Sequence, residues 1–168
     1  MLNVSLGVDI SQFKQLAETR SQRNKKYISS LNKRKSNLLD NEFHQLHDEV
    51  FEEMDCLDCA NCCKTTSPIF YRKDIERLAS FFRLKPGAFI AKYLRVDEDN
   101  DYVLQSSPCP FLSKDNYCAV YEHRPKACKE YPHTHRKNMI QILNLTYKNT
   151  LVCPAVLEMV ERMKKQGF

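Results

Sequence analysis

Apolar and polar positions alternate with different periods along the chain, and each period predicts an element. Phe13, Leu16, Ala17, Tyr27, Ile28 and Leu31 keep a broken 3.6-residue period, and Leu39, Phe43, Leu46, Val50 and Met54 keep a cleaner one. Two amphipathic helices follow from this, meeting around Ser36 to Asp40 either as an antiparallel hairpin or as one unbroken helix. Ile75, Leu78, Ala79 and Phe82 share one face of a helix over Tyr71 to Phe82. Pro86 suits the first turn of a short helix carrying Phe89, Ile90, Tyr93 and Leu94. The acidic stretch Asp97 to Asp101 reads as a turn before a short strand, Tyr102 to Gln105; it lacks the Gly and closing Glu of a calcium-binding EF-hand. Cys109 to Leu112 and Tyr117 to Tyr121 suit a small hairpin around Ser113 to Asn116. Arg124-Pro125 then opens a short helical turn bearing Cys128, ended by Pro132. Asn138 to Leu151 reads as a longer helix or a strand-like stretch. Pro154 starts a last helix with Val156, Leu157, Val160 and Met163 as its buried stripe. The expected fold class is mainly α with short irregular β segments: a small cysteine-rich, metal-centred domain with a helical N-terminal extension.

Charge sharpens the division. Lys14 to Lys35 holds eight basic residues against Glu18 alone, while Asp40 to Asp58 holds eight acidic residues and no Lys or Arg. Residues 1–55, which contain no cysteine, are therefore read as a charged helical extension, and residues 56–168 as the part that carries chemistry. At 168 residues, 42% apolar and 28% charged, the chain is in the globular range. It contains no G-x-G-x-x-G, P-loop or G-x-S-x-G pattern. The formal charge of +5 falls to +1 if eight thiolates surround two divalent ions, so basicity is weak support for a nucleic-acid partner, and none is expected. The two charged stretches are read as solvated helix faces. Met1 to Ile10 lacks the basic and apolar regions of a signal peptide, and no apolar run is long enough to span a membrane. The expected location is cytoplasmic, where lasting disulfides are disfavoured.

That compartment makes the cysteines informative. Cys56, Cys59, Cys62 and Cys63 form the pattern C-x2-C-x2-C-C, and Cys109, Cys118, Cys128 and Cys153 follow singly. Tight C-x-x-C spacing lets one turn present two sulfurs to one ion, so all eight are candidate metal ligands. Zinc and iron both fit. Cys56, Cys59 and Cys62 also match the triple of a [4Fe–4S] site, with the Cys-Pro pairs at Cys109 and Cys153 resembling its remote ligand. Adjacent side chains tend to point apart, so the doublet Cys62-Cys63 suggests ligands to different ions and hence two centres. One division puts some of Cys56, Cys59 and Cys62 with one late cysteine, and Cys63 with others. His123, His133 and His135 could each replace a thiolate but are more simply surface or hydrogen-bonded residues. His44 and His47 share a helix face beside Asp48, where packing or solvation is the simpler reading. Arg124 is a candidate to donate hydrogen bonds to anionic sulfur, against the alternative of a surface ion pair with Glu122 or Glu130.

C-x2-C-x2-C-C, the Asp74-Ile75 pair on the next helix, Cys109-Pro-Phe-Leu, Cys118-x-Val-Tyr-x-x-Arg-Pro-x-x-Cys128 and Tyr131-Pro132 together resemble the YkgJ-type cysteine-cluster family of zinc- or iron-chelating proteins. The resemblance runs from Cys56 to about Cys153. It implies metal chelation, with Cys56, Cys59, Cys62, Cys63, Cys109, Cys118 and Cys128 as ligands, and zinc or iron in one or two centres. The expected function is thus a metal-binding protein whose partners are metal ions, with an enzyme the less favoured reading. The cysteine pattern is also similar to that of flagellin lysine N-methylases, whose additional region this chain does not carry. The alternative is therefore an iron–sulfur-dependent redox or methyl-transfer enzyme.

Overall fold

The computed structural model describes residues 9–168; most of the segment read for a signal peptide, Met1 to Val8, lies outside them. Among the described residues the helices are α1 (Ile10–Ser30), α2 (Ser36–Glu53), α3 (Cys56–Cys59), α4 (Asn61–Thr65), α5 (Arg72–Phe81), α6 (Pro86–Tyr93), α7 (Lys126–Glu130), α8 (Leu143–Thr150) and α9 (Pro154–Gln166). The strands β1 (Leu94–Val96) and β2 (Tyr102–Leu104) pair antiparallel, with Leu94 opposite Leu104. The fold is mainly α, as its periodicities indicate. No helix among the described residues is long and apolar enough to cross a membrane.

The chain forms two compact units, the described part of Met1–Cys59 with Pro132–Phe168, and Ala60–Tyr131. In the first, the Asp9 carboxylate caps α1 by accepting from the N–H groups of Ser11 (2.8 Å) and Gln12 (3.1 Å). The helix tightens into a 3-10 turn at Leu31–Lys33 and ends as Arg34 becomes extended, which separates it from α2. The main packing partners of α1 are α8 and α9. Those of α2 are α9 and the 3-10 turn Met139–Ile142. The basic and acidic helices therefore rest chiefly on the C-terminal helices rather than on each other. Leu39, Phe43, Leu46, Val50 and Met54 all join one buried cluster with Met139, Leu143, Met159, Val160 and Met163. Arg162 of α9 holds the end of α2 by donating to both Glu53 carboxylate oxygens (3.2 and 2.7 Å), and also donates to Glu158 (3.0 Å). Gly167, at φ +77°, closes α9, with Phe168 N–H returning to Met163 O at 3.1 Å.

In the second unit, α5 packs on α6, and α6 leads directly into β1. Leu94, expected at the end of the α6 stripe, instead opens the strand. The turn between strands follows from Asp97, whose Oδ1 accepts from Asp99 N–H (3.0 Å) and Asp101 N–H (2.9 Å). Phe82, Phe89 and Phe111 stack and Tyr93 packs tilted against them, with ring centroids 5.1–6.3 Å apart, alongside buried Phe70, Leu78 and Val120. Phe111 and Val120 belong to the cysteine-bearing loop, so this core is what seats that loop.

Candidate metal centre

The quartet Cys56, Cys59, Cys62, Cys63 is cut by the fold. Asp55 starts α3 by accepting from Leu57 N–H at 2.8 Å, and α3 carries Cys56 and Cys59 in the first unit. Ala60 then takes a left-handed conformation (φ 45°, ψ 25°), and α4 begins again with Cys62 and Cys63 in the second unit. A non-glycine residue in this region is uncommon.

In the first unit the sulfur neighbours of Cys153 are Cys56 and Cys59. Cys153 directly precedes Pro154, and its own N–H donates to Asn149 O at 2.8 Å. Burial pushes the Cys153 thiol up to about 12, and neighbouring thiolate charge at Cys56 and Cys59 adds to this. The backbone N–H groups of Val156 and Ala155, at the start of α9, act in the opposite direction.

In the second unit Cys63, Cys109, Cys118 and Cys128 act on one another electrostatically. Their supports are visible in the backbone. Cys109 N–H donates to Cys63 O at 2.8 Å, and a single antiparallel bridge pairs Leu112 with Cys118. Ser113 N–H to Tyr117 O (2.8 Å) and Ala119 N–H to Phe111 O (2.8 Å) close the expected hairpin. Burial raises the Cys109 thiol to about 11, opposed by N–H groups of Phe111 and Leu112. It raises Cys118 as well, opposed by Val120 N–H and by Arg124. Cys128 goes up to about 12 through burial and the three other thiolates. Cys63 alone goes down, to about 7, because Cys62 donates a hydrogen bond to its sulfur and the cations of Arg124 and Lys64 favour the anion. The half-buried Arg124 guanidinium lies face-on over the Tyr121 ring at 3.4 Å, with Nε donating to Tyr121 O at 2.8 Å. Glu130 pairs with Lys126 instead, at 3.6 Å.

One thiol is thus poised as an anion near neutral pH, and three are held protonated by burial and mutual repulsion. Thiols flanked by backbone N–H groups, with the Arg124 cation acting on them, fit a thiophilic cation such as zinc or iron rather than a hard oxygen-seeking ion. Among the described residues, no group of three or more His, Cys, Asp or Glu side chains is placed so that it could hold a metal ion. The thiols influence one another's charge without forming such a group.

Residues 55–154 match the model of a family described as "CxxCxxCC: Putative zinc- or iron-chelating domain". The chain belongs to the CxxCxxCC family. The matched span contains all eight cysteines and both thiol groups. No curated protein and no solved structure matches the chain. Knowing the CxxCxxCC family gives the motif a chemical class, while its division between two units comes from the fold.

The histidines fall elsewhere. His123 packs on Phe81 at 4.6 Å between ring centroids. His133 sits at φ 66°, just after the return into the first unit. His135 stacks on His44 (4.6 Å) and meets His47 edge-on (5.2 Å); His47 Nδ1 is 2.8 Å from Thr134 Oγ1, and His44 Nε2 is 2.9 Å from Arg136 O. Sequence reasoning gave Asp74 no role beyond its place in the motif and did not single out Arg77. Asp74 is buried, accepts from Arg77 Nη2 at 2.6 Å, and is the one charged residue of the α5 stripe so placed. An Asp in the first turn of an amphipathic helix signals a cap; nothing in the local pattern signals its burial.

Proposed function

We propose that this protein binds zinc or iron through cysteine thiolates in two centres. Cys63, Cys109, Cys118 and Cys128 hold one ion, with Cys62 donating to Cys63 and Arg124 offsetting the anionic charge. Cys56, Cys59 and Cys153 serve the other. The observation that carries the reading is the backbone pairing that draws separate stretches of the CxxCxxCC span together, Cys109 N–H on Cys63 O at 2.8 Å and the Leu112–Cys118 bridge. A bound divalent ion supplies the positive charge that buried thiols need in order to ionise. The protein's own groups gather the sulfurs, partly shield Cys109 and Cys128 from water, and direct N–H groups at the developing anions. Such a module serves a binding role, structural or in metal handling, in a reducing compartment where the thiols persist.

The test is anaerobic purification followed by elemental analysis, a visible spectrum and thiol counting. Colourless protein with about two zinc ions per chain, falling by about one each in Cys118→Ser and Cys59→Ser, supports the two-centre reading. Iron with acid-labile sulfide and broad visible absorbance points instead to the iron–sulfur form. Metal-free protein with its cysteines paired as disulfides would overturn the reading.

A further inference from the structure

The Asp74–Arg77 pair has a set of partners that ordinary helix capping does not explain. Asp74 Oδ2 accepts from Tyr71 N–H at 3.1 Å, which is the capping contact. Its other oxygen accepts from Arg77 Nη2 at 2.6 Å and from Lys126 N–H at 3.2 Å. Arg77 in turn donates from Nε to His123 O at 3.3 Å and from Nη2 to Arg124 O at 2.8 Å. A carboxylate and a guanidinium on α5 therefore grip three backbone groups within residues 123–126. Pro125, in the middle of that stretch, has no N–H to contribute.

The gripped segment matters because of what leaves it on either side. Arg124 is the cation that acts on Cys63, Cys118 and Cys128. Lys126 begins α7, which carries Cys128 and has only five residues. A helix of that length cannot maintain itself, so its placement comes from whatever holds its first turn. The Asp74 side chain is only 4% exposed, and a buried ion pair is a poor source of net stability compared with apolar packing. Its hydrogen bonds are better explained by position than by strength.

We infer that Asp74 and Arg77 are positioning residues for the metal centre of the second unit, setting where Cys128 and Arg124 stand relative to Cys63, Cys109 and Cys118. The inference rests on the four-sulfur reading of that unit. Both act through the His123–Lys126 backbone.

The experiment uses the full chain with Cys56→Ser and Cys59→Ser, so that the second unit alone reports, loaded with Co2+ as the probe. Sulfur-to-cobalt charge-transfer intensity counts thiolate ligands, and transfer of Co2+ to a chelator measures retention. The background chain should show four-thiolate intensity. Asp74→Asn should lower it to the level of Cys128→Ser and speed Co2+ loss about 10- to 100-fold, the range for outer-shell partners of ligands. In the Asp74→Asn/Cys128→Ser combination the charge-transfer intensity should fall no further than in Cys128→Ser alone, because the clasp's effect on the number of thiolate ligands runs through Cys128. A further loss of charge-transfer intensity in that combination, or four-thiolate intensity in Asp74→Asn, would overturn the inference. Arg77→Lys keeps the charge but cannot reach both carbonyls; if Asp74→Asn does not fold, Arg77→Lys alone and with Cys128→Ser decides between the same two outcomes. If the background chain shows no thiolate charge transfer, the four-sulfur reading itself has failed, which is a different result.

Discussion

Metal affinity in the second unit should keep rising with pH far beyond the range where ordinary thiols stop responding. Cys109 and Cys128 are pushed up to about 11 and about 12, while Cys63 is brought down to about 7. A ligand that is protonated before binding gives up its proton on coordination, so affinity rises tenfold per pH unit for each such proton. Near pH 10, Cys109 and Cys128 still hold about two protons between them, which predicts a rise of about a hundredfold per unit. Four thiols with the ordinary value of 9.0 would by then hold less than about half a proton in all, a rise of only about two- to threefold. The assay is competition for Zn2+ with a chromophoric chelator of known pH dependence, from about pH 7.5 to 10, in the Cys56→Ser/Cys59→Ser chain. A slope that fades below about one proton above pH 9 would refute the argument, since the buried thiols would then not be the ligands.

Other expectations follow from the same geometry. Arg124→Gln removes a cation acting on Cys63, so alkylation of metal-free protein at neutral pH should slow at Cys63, with site-resolved mass spectrometry as the readout. Burial, His135 and His44 lower the His47 value from 6.5, with Asp48 opposing them. The unfolded chain therefore takes the proton first, so stability is level above about pH 6.5 and falls as the pH drops through it, until the folded value is reached. Urea titrations at pH 7.5 and 5.5 should show this loss, and His47→Gln should reduce it. Phe43→Ala should cost about 3–5 kcal/mol, because Phe43 is fully buried in the cluster shared by α2, α8 and α9; thermal unfolding checks it.

The helices were legible where one face carries the whole signal. Leu39 through Met54 form a stripe that needs only its own period to be recognised, and each member is buried. The hairpin after Cys109 was legible from its turn residues, and the cysteines from type and spacing. What the pattern could not reveal is pairing across distance. Leu94 continues the α6 stripe yet belongs to β1, because Leu104 opposite it claims its backbone. Asp74 looks like a cap until Lys126, 52 residues on, donates to it. His135 meets His44 and His47 only through the fold, and nothing in the pattern signals the left-handed residue at Ala60.

The discontinuous first unit also imposes an order on synthesis. Ala60–Tyr131 is one continuous stretch, and its thiol set is complete once Cys128 has left the ribosome. The helices α1 and α2 emerge earlier, but their apolar faces are covered by residues of 139–163, and Cys56 and Cys59 meet Cys153 only then. Domains fold as units while the chain emerges, so the later-starting unit is the first able to fold. The beginning of the chain waits, with Phe43 and its neighbours uncovered, for a helix made about a hundred residues afterwards.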